Sequence, residues 1–264
     1  MDIINLLDEE FLEKKGLIKI EIQEKLYSKK NNLFKIRCFF KTDKYGPLNG
    51  SLFVFKQYSG IAGAERKKKE TFMLNALGRL QQSNKKYQNL LVPELFCEGK
   101  DHIITYFISG ETLLDYAERS ENEKSSLANG NISSFLPFKN CIDWIIKFHA
   151  ESKKLAGKSC ILNDINLRNF IICSRGWNAG KIYRLDFEDW GKGCIEKDLG
   201  KLIAFILTYD PMFTEWKIKL SGYVKKYIVE ELKVNSSDLE TEIEMELEEM
   251  ASRRKISQKQ YSDY

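Results

Sequence analysis

The first 110 residues alternate between apolar and polar positions over short runs, a pattern that predicts β-strands around a single helix. Ile18–Ile22 alternates strictly, as a half-buried strand does, and the other runs are rich in aromatic and β-branched residues. The predicted strands span 18–22, 33–40, 52–56, 95–97 and 103–107. Between 62 and 80 the apolar positions recur at helical spacing, which predicts one long helix.

Beyond residue 110 the helical spacing dominates, and only 170–173 and 181–185 have the pattern of strands. Helices are predicted at 112–118, 138–155, 198–208, 213–232 and 237–254. The polar stretch 119–134 is predicted to be a loop. A strand-rich region followed by a helix-rich one is typical of an α+β fold. We therefore expect an N-terminal domain, 1–108, and a C-terminal domain, 109–264, with a hinge near Phe107–Gly110.

Charge and composition narrow the classes of partner. The 42 basic and 38 acidic residues leave a net charge of +4, which does not indicate a nucleic-acid partner. The basic run Arg66–Lys69 is more typical of a solvated helix face than of a nucleic-acid patch. No window approaches the roughly 18 apolar residues that span a bilayer, and no signal peptide is visible. We expect a cytoplasmic protein without a membrane span.

The six cysteines and two histidines show no zinc-binding spacing, and several cysteines lie in apolar runs that suit buried, reduced thiols. The single chemical pattern of interest is Asp164 followed five residues later by Asn169, with Asp186 another 17 residues on. Phosphoryl transfer requires a carboxylate that orients the acceptor hydroxyl and oxygen ligands that hold magnesium on the phosphates. Asp164 would be the base on the acceptor side, and Asn169 and Asp186 would be the metal ligands.

At these residues the chain resembles the protein-kinase-like phosphotransferases, and within them the aminoglycoside and lipopolysaccharide kinase branch. That branch reads H-G-D-[IL]-x-x-x-N-[FI]-[LI], which is matched at Asp164, Ile165 and Asn169–Ile171. Its metal segment I-D-[FW]-[ED]-x-[AG], followed by D-[LI]-[AG], is similar to Leu185–Asp189 and Asp198–Gly200. The resemblance covers roughly residues 18–210. It implies a two-lobed fold, with a small antiparallel sheet lobe containing one helix and a larger, mainly helical lobe.

The resemblance also implies roles in the first lobe. Val54 would contact the adenine, and Lys56, two residues further along the same strand face, would contact the α- and β-phosphates of ATP. Glu70 would pair with Lys56, with Glu65 as the second choice. Backbone groups near Tyr106 and Phe107 would bind the adenine edge. ATP and Mg²⁺ would lie between the lobes, and the acceptor would be a hydroxyl of a small molecule or saccharide.

Two departures from the family pattern leave alternatives open. Leu162 and Asn163 replace the His and Gly before the catalytic Asp, which motivates a pseudokinase that binds nucleotide or a partner without turnover. The turn at 28–32 has no glycine, whereas protein kinases place a glycine-rich loop over the phosphates. This favours a small-molecule kinase over a protein serine/threonine kinase, which remains a third alternative.

Several further residues have two interpretations. The seven carboxylates of 238–249 could favour a cationic acceptor such as an aminoglycoside, but helically spaced apolar residues favour a solvated amphipathic helix. Glu188 could help to hold a second metal or could be exposed or capping. Asp198 is predicted to cap its helix, and the resemblance implies that it also braces the catalytic loop. His149 is predicted to be a packed helix residue.

Overall fold

The computed structural model describes residues 3–7, 9–41, 48–83, 87, 89–123 and 134–254. The chain divides into two compact units. The first unit comprises 1–85, 92–108 and 186–188, and the second comprises 86–91, 109–185 and 189–264. The short segment 186–188 therefore belongs to the first unit, although the rest of that unit ends at residue 108.

The first unit contains a five-stranded antiparallel sheet with the strand order β1-β2-β3-β5-β4. Its strands are β1 (Leu17–Leu26), β2 (Asn31–Phe40), β3 (Ser51–Tyr58), β4 (Leu95–Glu98) and β5 (His102–Tyr106). β3 pairs with β2 on one side and β5 on the other, so Lys56 lies opposite Leu33 and Ile103 in the sheet interior. The backbone that carries Lys56 is thus fixed by two neighbouring strands.

The described residues of the first unit include the α-helices α1 (Glu9–Lys15) and α2 (Gly63–Ser83). A core of buried aromatic and aliphatic side chains lies on one face of the sheet, with Phe53 and Phe96 in ring contact at 4.7 Å between centroids. α2 buries Met73, Leu74 and Leu77, at the helical spacing expected from the sequence.

The second unit is mainly helical. Its helices are α3 (Leu113–Asn122), α4 (Leu136–Ala156), α5 (Ile195–Thr208), α6 (Glu215–Lys226) and α7 (Ser236–Arg254). Its strands are β6 (Gly110–Thr112), β7 (Cys160–Ile161), β8 (Phe170–Cys173), β9 (Ile182–Arg184) and β10 (Gly191–Lys192). β6, β8 and β9 form one sheet, and β7 pairs with β10. A turn of π-helix, Tyr227–Glu231, follows α6.

α5 and α7 pack closely at a glycine. A Cβ atom on Gly200 would lie 2.8 Å from Glu242 Cβ and 3.0 Å from its carbonyl carbon, so only glycine fits there without a shift of either helix. α7 buries Leu239, Ile243 and Leu247, as an amphipathic helix does. The amphipathic interpretation of residues 238–249 is confirmed. Glu246 of this helix is itself buried, between Lys201 and Arg253.

The predicted α+β class is confirmed, and the predicted domain boundary at residue 108 stays a prediction. The predicted loop 119–134 is wrong at its start, because α3 continues to Asn122; residues 124–133 lie outside the described part. All six cysteines are free, and five of them are buried. Within the described ranges, no helix combines the length and the apolar character needed to cross a membrane.

Candidate active site

The Lys56 ammonium is the centre of a buried ion-pair cluster in the first unit. Its Nζ lies 2.6 Å from Glu70 Oε2, 3.0 Å from Asp186 Oδ1 and 3.2 Å from Glu188 Oε2. Burial acts to lower the pKa of Lys56, but the three carboxylates outweigh it and hold that pKa above its usual range. Lys56 is therefore a cation at any physiological pH.

The contact predicted between Lys56 and Glu70 is present, and α2 supplies it. Glu65, the second choice, lies on the exposed side of α2, 4.0 Å from Lys69 Nζ. Tyr58 shares a strand face with Lys56, and its hydroxyl donates to Glu70 Oε2 at 2.7 Å. Burial and the neighbouring Glu70 raise the pKa of Tyr58, so the phenol keeps its proton and remains a donor. Glu70 is thus held on two sides.

The segment Asp186–Glu188 adds two carboxylates to the cluster. Asp186 has a φ of 59°, in the left-handed region that Asp tolerates better than most residues. Phe187 is 1% exposed and anchors the segment. Glu188 is 4% exposed and accepts a hydrogen bond from Asn31 Nδ2 at 2.6 Å. The exposed alternative for Glu188 is therefore wrong, because Glu188 is buried among cationic and amide groups.

The carboxylates of Glu70, Asp186 and Glu188 surround the Lys56 ammonium, so a divalent cation held by all three would displace it. One oxygen atom from each lies within 4.8 Å of the other two. Carboxylate oxygens are the hard donors that Mg²⁺ prefers. Of the two predicted metal ligands, Asp186 belongs to this cluster, whereas Asn169 is part of the second unit.

The residues predicted to contact adenine lie on β3 and at the end of β5. Val54 is half-buried and lies opposite Thr105. The N–H of Tyr106 donates to Glu94 O at 3.0 Å, and the N–H of Phe107 donates to Leu52 O at 3.1 Å. Both amides are thus satisfied within the first unit. Adenine recognition by either residue would have to use groups other than these two N–H donors.

Asp164 and Asn169 lie in one loop of the second unit, and a hydrogen bond joins their side chains. Asp164 Oδ2 accepts from Asn169 Nδ2 at 2.9 Å, and its Oδ1 accepts from the N–H of Asn166 at 3.2 Å. A short 3₁₀ turn, Leu167–Asn169, is capped by Asn166, which accepts from the N–H of Arg168. A carboxylate offers about four lone-pair sites, so Asp164 can still accept from an incoming hydroxyl. Asn169 contacts Asp164 through its side-chain nitrogen and not through its side-chain oxygen.

Asp198 braces the residues that precede Asp164. It is 0% exposed, and its two oxygens accept from the N–H groups of Leu162 and Asn163 at 2.7 and 3.1 Å. Burial raises the pKa of Asp198 to about 6, against the effect of these hydrogen bonds. The predicted capping role is wrong, because α5 begins at Ile195 and Asp198 lies inside its first turn. The bracing contact implied by the family resemblance is present.

Arg184, which is not among the residues predicted for the site, also holds this loop. Its side chain is fully buried, with Nη2 donating to Asp164 O at 2.6 Å and Nη1 to Asn169 O at 3.2 Å. Nη1 also donates to Leu185 O, and the guanidinium lies 5.0 Å from the centroid of the Phe170 ring. One cation thus ties together the backbone at both ends of the Asp164–Asn169 loop. The available signal was an arginine at an inward position of a predicted strand.

His149 is half-buried on α4, and burial lowers its pKa, which agrees with the predicted packing role.

A cavity of about 200 Å³ opens beside the Asp164–Asn169 loop in the second unit. Asn166, Arg168, Glu118 and Asp210 line it, together with the aromatic rings of Phe205 and Tyr209. Side chains of both signs, an amide and two rings are chemically suited to a polar organic molecule.

No protein-family model matches the chain, and a search of curated proteins finds no match. The roles expected of Lys56, Glu70, Asp164, Asn169 and Asp186 therefore have no support from these two comparisons.

Proposed function

We propose that this protein is an ATP- and magnesium-dependent kinase that transfers the γ-phosphate of ATP to a hydroxyl of a small molecule or saccharide. The observation that carries the proposal is Lys56, held between Glu70 of α2 at 2.6 Å and Asp186 at 3.0 Å. A strand lysine paired with a helix glutamate and accompanied by a metal-binding aspartate is the arrangement that phosphoryl transfer in kinases requires.

The proposal includes the fold. We assign the two units to the small and large lobes of the protein-kinase-like architecture. The five-stranded antiparallel sheet with one long helix between β3 and β4 supports the first assignment. The mainly helical second unit, in which the Asp164 loop precedes β8, supports the second.

On the donor side, the ammonium of Lys56 would bind phosphate oxygens, and Glu70 would keep that ammonium in place. Asp186 would bind Mg²⁺, which would neutralise charge on the phosphates. The family resemblance implies the side-chain oxygen of Asn169 as a further ligand. The hydrogen bond from Tyr58 to Glu70 prevents that carboxylate from turning away from Lys56.

On the acceptor side, the carboxylate of Asp164 would accept a hydrogen bond from the substrate hydroxyl. The hydroxyl oxygen attacks the γ-phosphorus, the bond to ADP breaks, and the hydroxyl proton passes to Asp164. Asn169 fixes the orientation of Asp164 through its 2.9 Å hydrogen bond. The cavity lined by Asn166 and Arg168 would receive the rest of the acceptor.

The second candidate function is binding of a nucleotide or a partner without turnover. The presence of Leu162 at the position before Asn163 favours it. The family pattern has a supporting histidine at this position, and Leu162 is buried and apolar. Asp198 and Arg184 supply backbone support for the same loop, as their hydrogen bonds to residues 162–164 indicate. That support favours turnover over binding alone.

The test measures ATP consumption and phosphate incorporation with a panel of sugars, aminoglycosides and other alcohols. Asp164→Asn should lower the transfer rate by about 10²–10⁴ while nucleotide affinity is retained, because it removes the proton acceptor and little volume. Asp115→Asn, an exposed carboxylate on α3, is the matched control. Full activity of Asp164→Asn would sink the assignment. Nucleotide binding with no turnover in wild type would favour the second candidate, and autophosphorylation seen by mass spectrometry would favour a protein kinase.

A further inference from the structure

The turn between β1 and β2 carries a cation into the Lys56 cluster. Lys30 Nζ lies 3.7 Å from Glu188 Oε1, and Lys56 Nζ lies 3.2 Å from the other oxygen of the same carboxylate. The turn, residues 27–30, contains no glycine. We propose that the side chain of Lys30 binds the terminal phosphates of the nucleotide, in place of the backbone of a glycine-rich loop. This inference rests on the proposed function.

The turn holds Lys30 in a defined position. The N–H of Asn31 donates to Ser28 Oγ at 3.1 Å, and Ser59 Oγ donates to Lys30 O at 2.8 Å. The backbone on either side of the Lys30 side chain is therefore fixed to its own turn and to the end of β3. The side chain itself is 50% exposed, so a ligand can reach its ammonium from solvent.

The charge balance indicates which ligand class would attract Lys30. Glu188 is approached by three cations: Lys56, Lys30 and Arg66, whose Nε lies 3.8 Å from Oε2. With Glu70 and Asp186, three carboxylates face three cations, so the formal charges of the cluster cancel. A divalent cation bound by the carboxylates would leave two positive charges in excess. That excess is complementary to a metal-bound polyphosphate and not to a neutral or cationic ligand.

The three cations differ in how exposed they are to such a ligand. Lys56 is 9% exposed and shared by all three carboxylates. Arg66 is fixed by Nη2, which donates to Ser59 O at 2.7 Å and to Asn31 Oδ1 at 3.3 Å. Lys30 combines the greatest exposure with a flexible stem, and a lysine ammonium is a point charge that adapts to a phosphate of variable position. Lys30 is thus the cation of this cluster best suited to the outer phosphates.

The experiment compares Lys30→Ala with Lys29→Ala, the exposed neighbour in the same turn. The affinities of adenosine, ADP and ATP are measured by titration calorimetry with Mg²⁺ present. Lys30→Ala should lower the affinity for ATP and ADP roughly tenfold, because a charge-assisted contact to phosphate is lost. Its affinity for adenosine should not change, and Lys29→Ala should bind all three ligands like wild type. Lys30→Arg should restore most of the affinity for ATP.

Two results would overturn the inference. Equal affinities of Lys30→Ala and Lys29→Ala for ATP would show that Lys30 does not contact phosphate. A loss that includes adenosine would show a structural effect of the turn. A wild-type protein without affinity for any of the nucleotides would overturn the proposed function itself, so the two failures are distinguishable. Circular dichroism and thermal unfolding establish that both alanine variants are folded, as expected for exposed turn positions.

Discussion

Asp198 shows how one buried carboxylate can hold the backbone that leads into the Asp164–Asn169 loop. Its two oxygens accept from consecutive N–H groups, those of Leu162 and Asn163, and the second of these residues has a φ of 69°. Asn tolerates this left-handed conformation better than most residues do, and the double hydrogen bond offsets part of its cost. Arg184 and Lys201 are the cations that act on Asp198. The carboxylate is nevertheless fully buried, and burial dominates its pKa.

This burial predicts a specific dependence of stability on pH. The pKa of Asp198 is about 6 in the folded protein, above the value of about 3.9 typical of an unfolded chain. The folded state therefore binds the proton more tightly, and the stabilisation present below pH 4 is lost as the pH rises through 6. Relative to Asp198→Asn, the free energy of unfolding of wild type should fall by on the order of 2 kcal/mol between pH 4 and pH 7.

Urea unfolding of both proteins across this pH range measures the difference. Asp238→Asn is the control, since Asp238 is an exposed carboxylate in the first turn of α7, as Asp198 is a buried one in the first turn of α5. Parallel pH profiles for wild type and Asp198→Asn would contradict the predicted shift. The control should give a profile parallel to that of wild type.

At the scale of elements, the packing of α5 on α7 depends on a single glycine. Ala at position 200 would bring a Cβ within 2.8 Å of Glu242 Cβ and 3.1 Å of Ile243 N, so the two helices would have to separate. Gly200→Ala should therefore destabilise the protein by about 1–3 kcal/mol, as overpacking does. Gly222→Ala in α6 should stabilise it by about 0.5–1 kcal/mol, because alanine favours the helix and nothing lies within 4 Å of the new methyl group.

The two variants make the same chemical change in a helix, so their difference isolates the contact between α5 and α7. Chemical denaturation gives both values. Equal effects would mean that intrinsic helix propensity alone governs position 200. Gly200→Ser, slightly larger than Gly200→Ala, should be at least as destabilising.

The sequence predicts the long elements well, because apolar residues recur along each of them at a regular spacing. β8 was predicted at its observed bounds, and the predicted helices 62–80 and 138–155 match α2 and α4 within three residues. β6, β7 and β10 were missed because two or three residues have no period. α1 was missed as well, since seven residues are too few to show a helical repeat of apolar positions. The start of α5 at Ile195 was missed because Cys194 makes no side-chain capping bond.

The site was predictable only where a motif or a strand face constrained it. The contact between Lys56 and Glu70 was implied by the family resemblance, and alternation on β3 placed Lys56 on the same face as Val54. The burial of Glu188 does not, because it depends on Asn31, 157 positions away in sequence, and on Lys30 and Arg66. The same applies to Arg184, whose partners are backbone carbonyl groups that no sequence pattern identifies.

At the scale of the whole molecule, the first unit is assembled from distant parts of the chain. Asp186 and Glu188 join β3 and α2 across a separation of 130 residues between Lys56 and Asp186. A ligand that bridges these residues binds only when the segments are assembled, so it should stabilise the folded state by mass action. At a concentration about 100 times the dissociation constant the gain is about 2.7 kcal/mol. For a protein of this size that gain corresponds to a rise in Tm of roughly 5 °C or more.

We therefore predict that ATP with Mg²⁺ raises the Tm of wild type by this amount, and that EDTA abolishes most of the rise. Asp186→Asn should lose the metal-dependent part, because an amide oxygen replaces a charged ligand of the cation. Asp115→Asn, on α3 in the second unit, should respond like wild type, since its exposed carboxylate lies outside the Lys56 cluster. Differential scanning fluorimetry checks all three. A rise in Tm that is insensitive to EDTA or equal in Asp186→Asn would exclude Asp186 as a ligand of the nucleotide-bound metal.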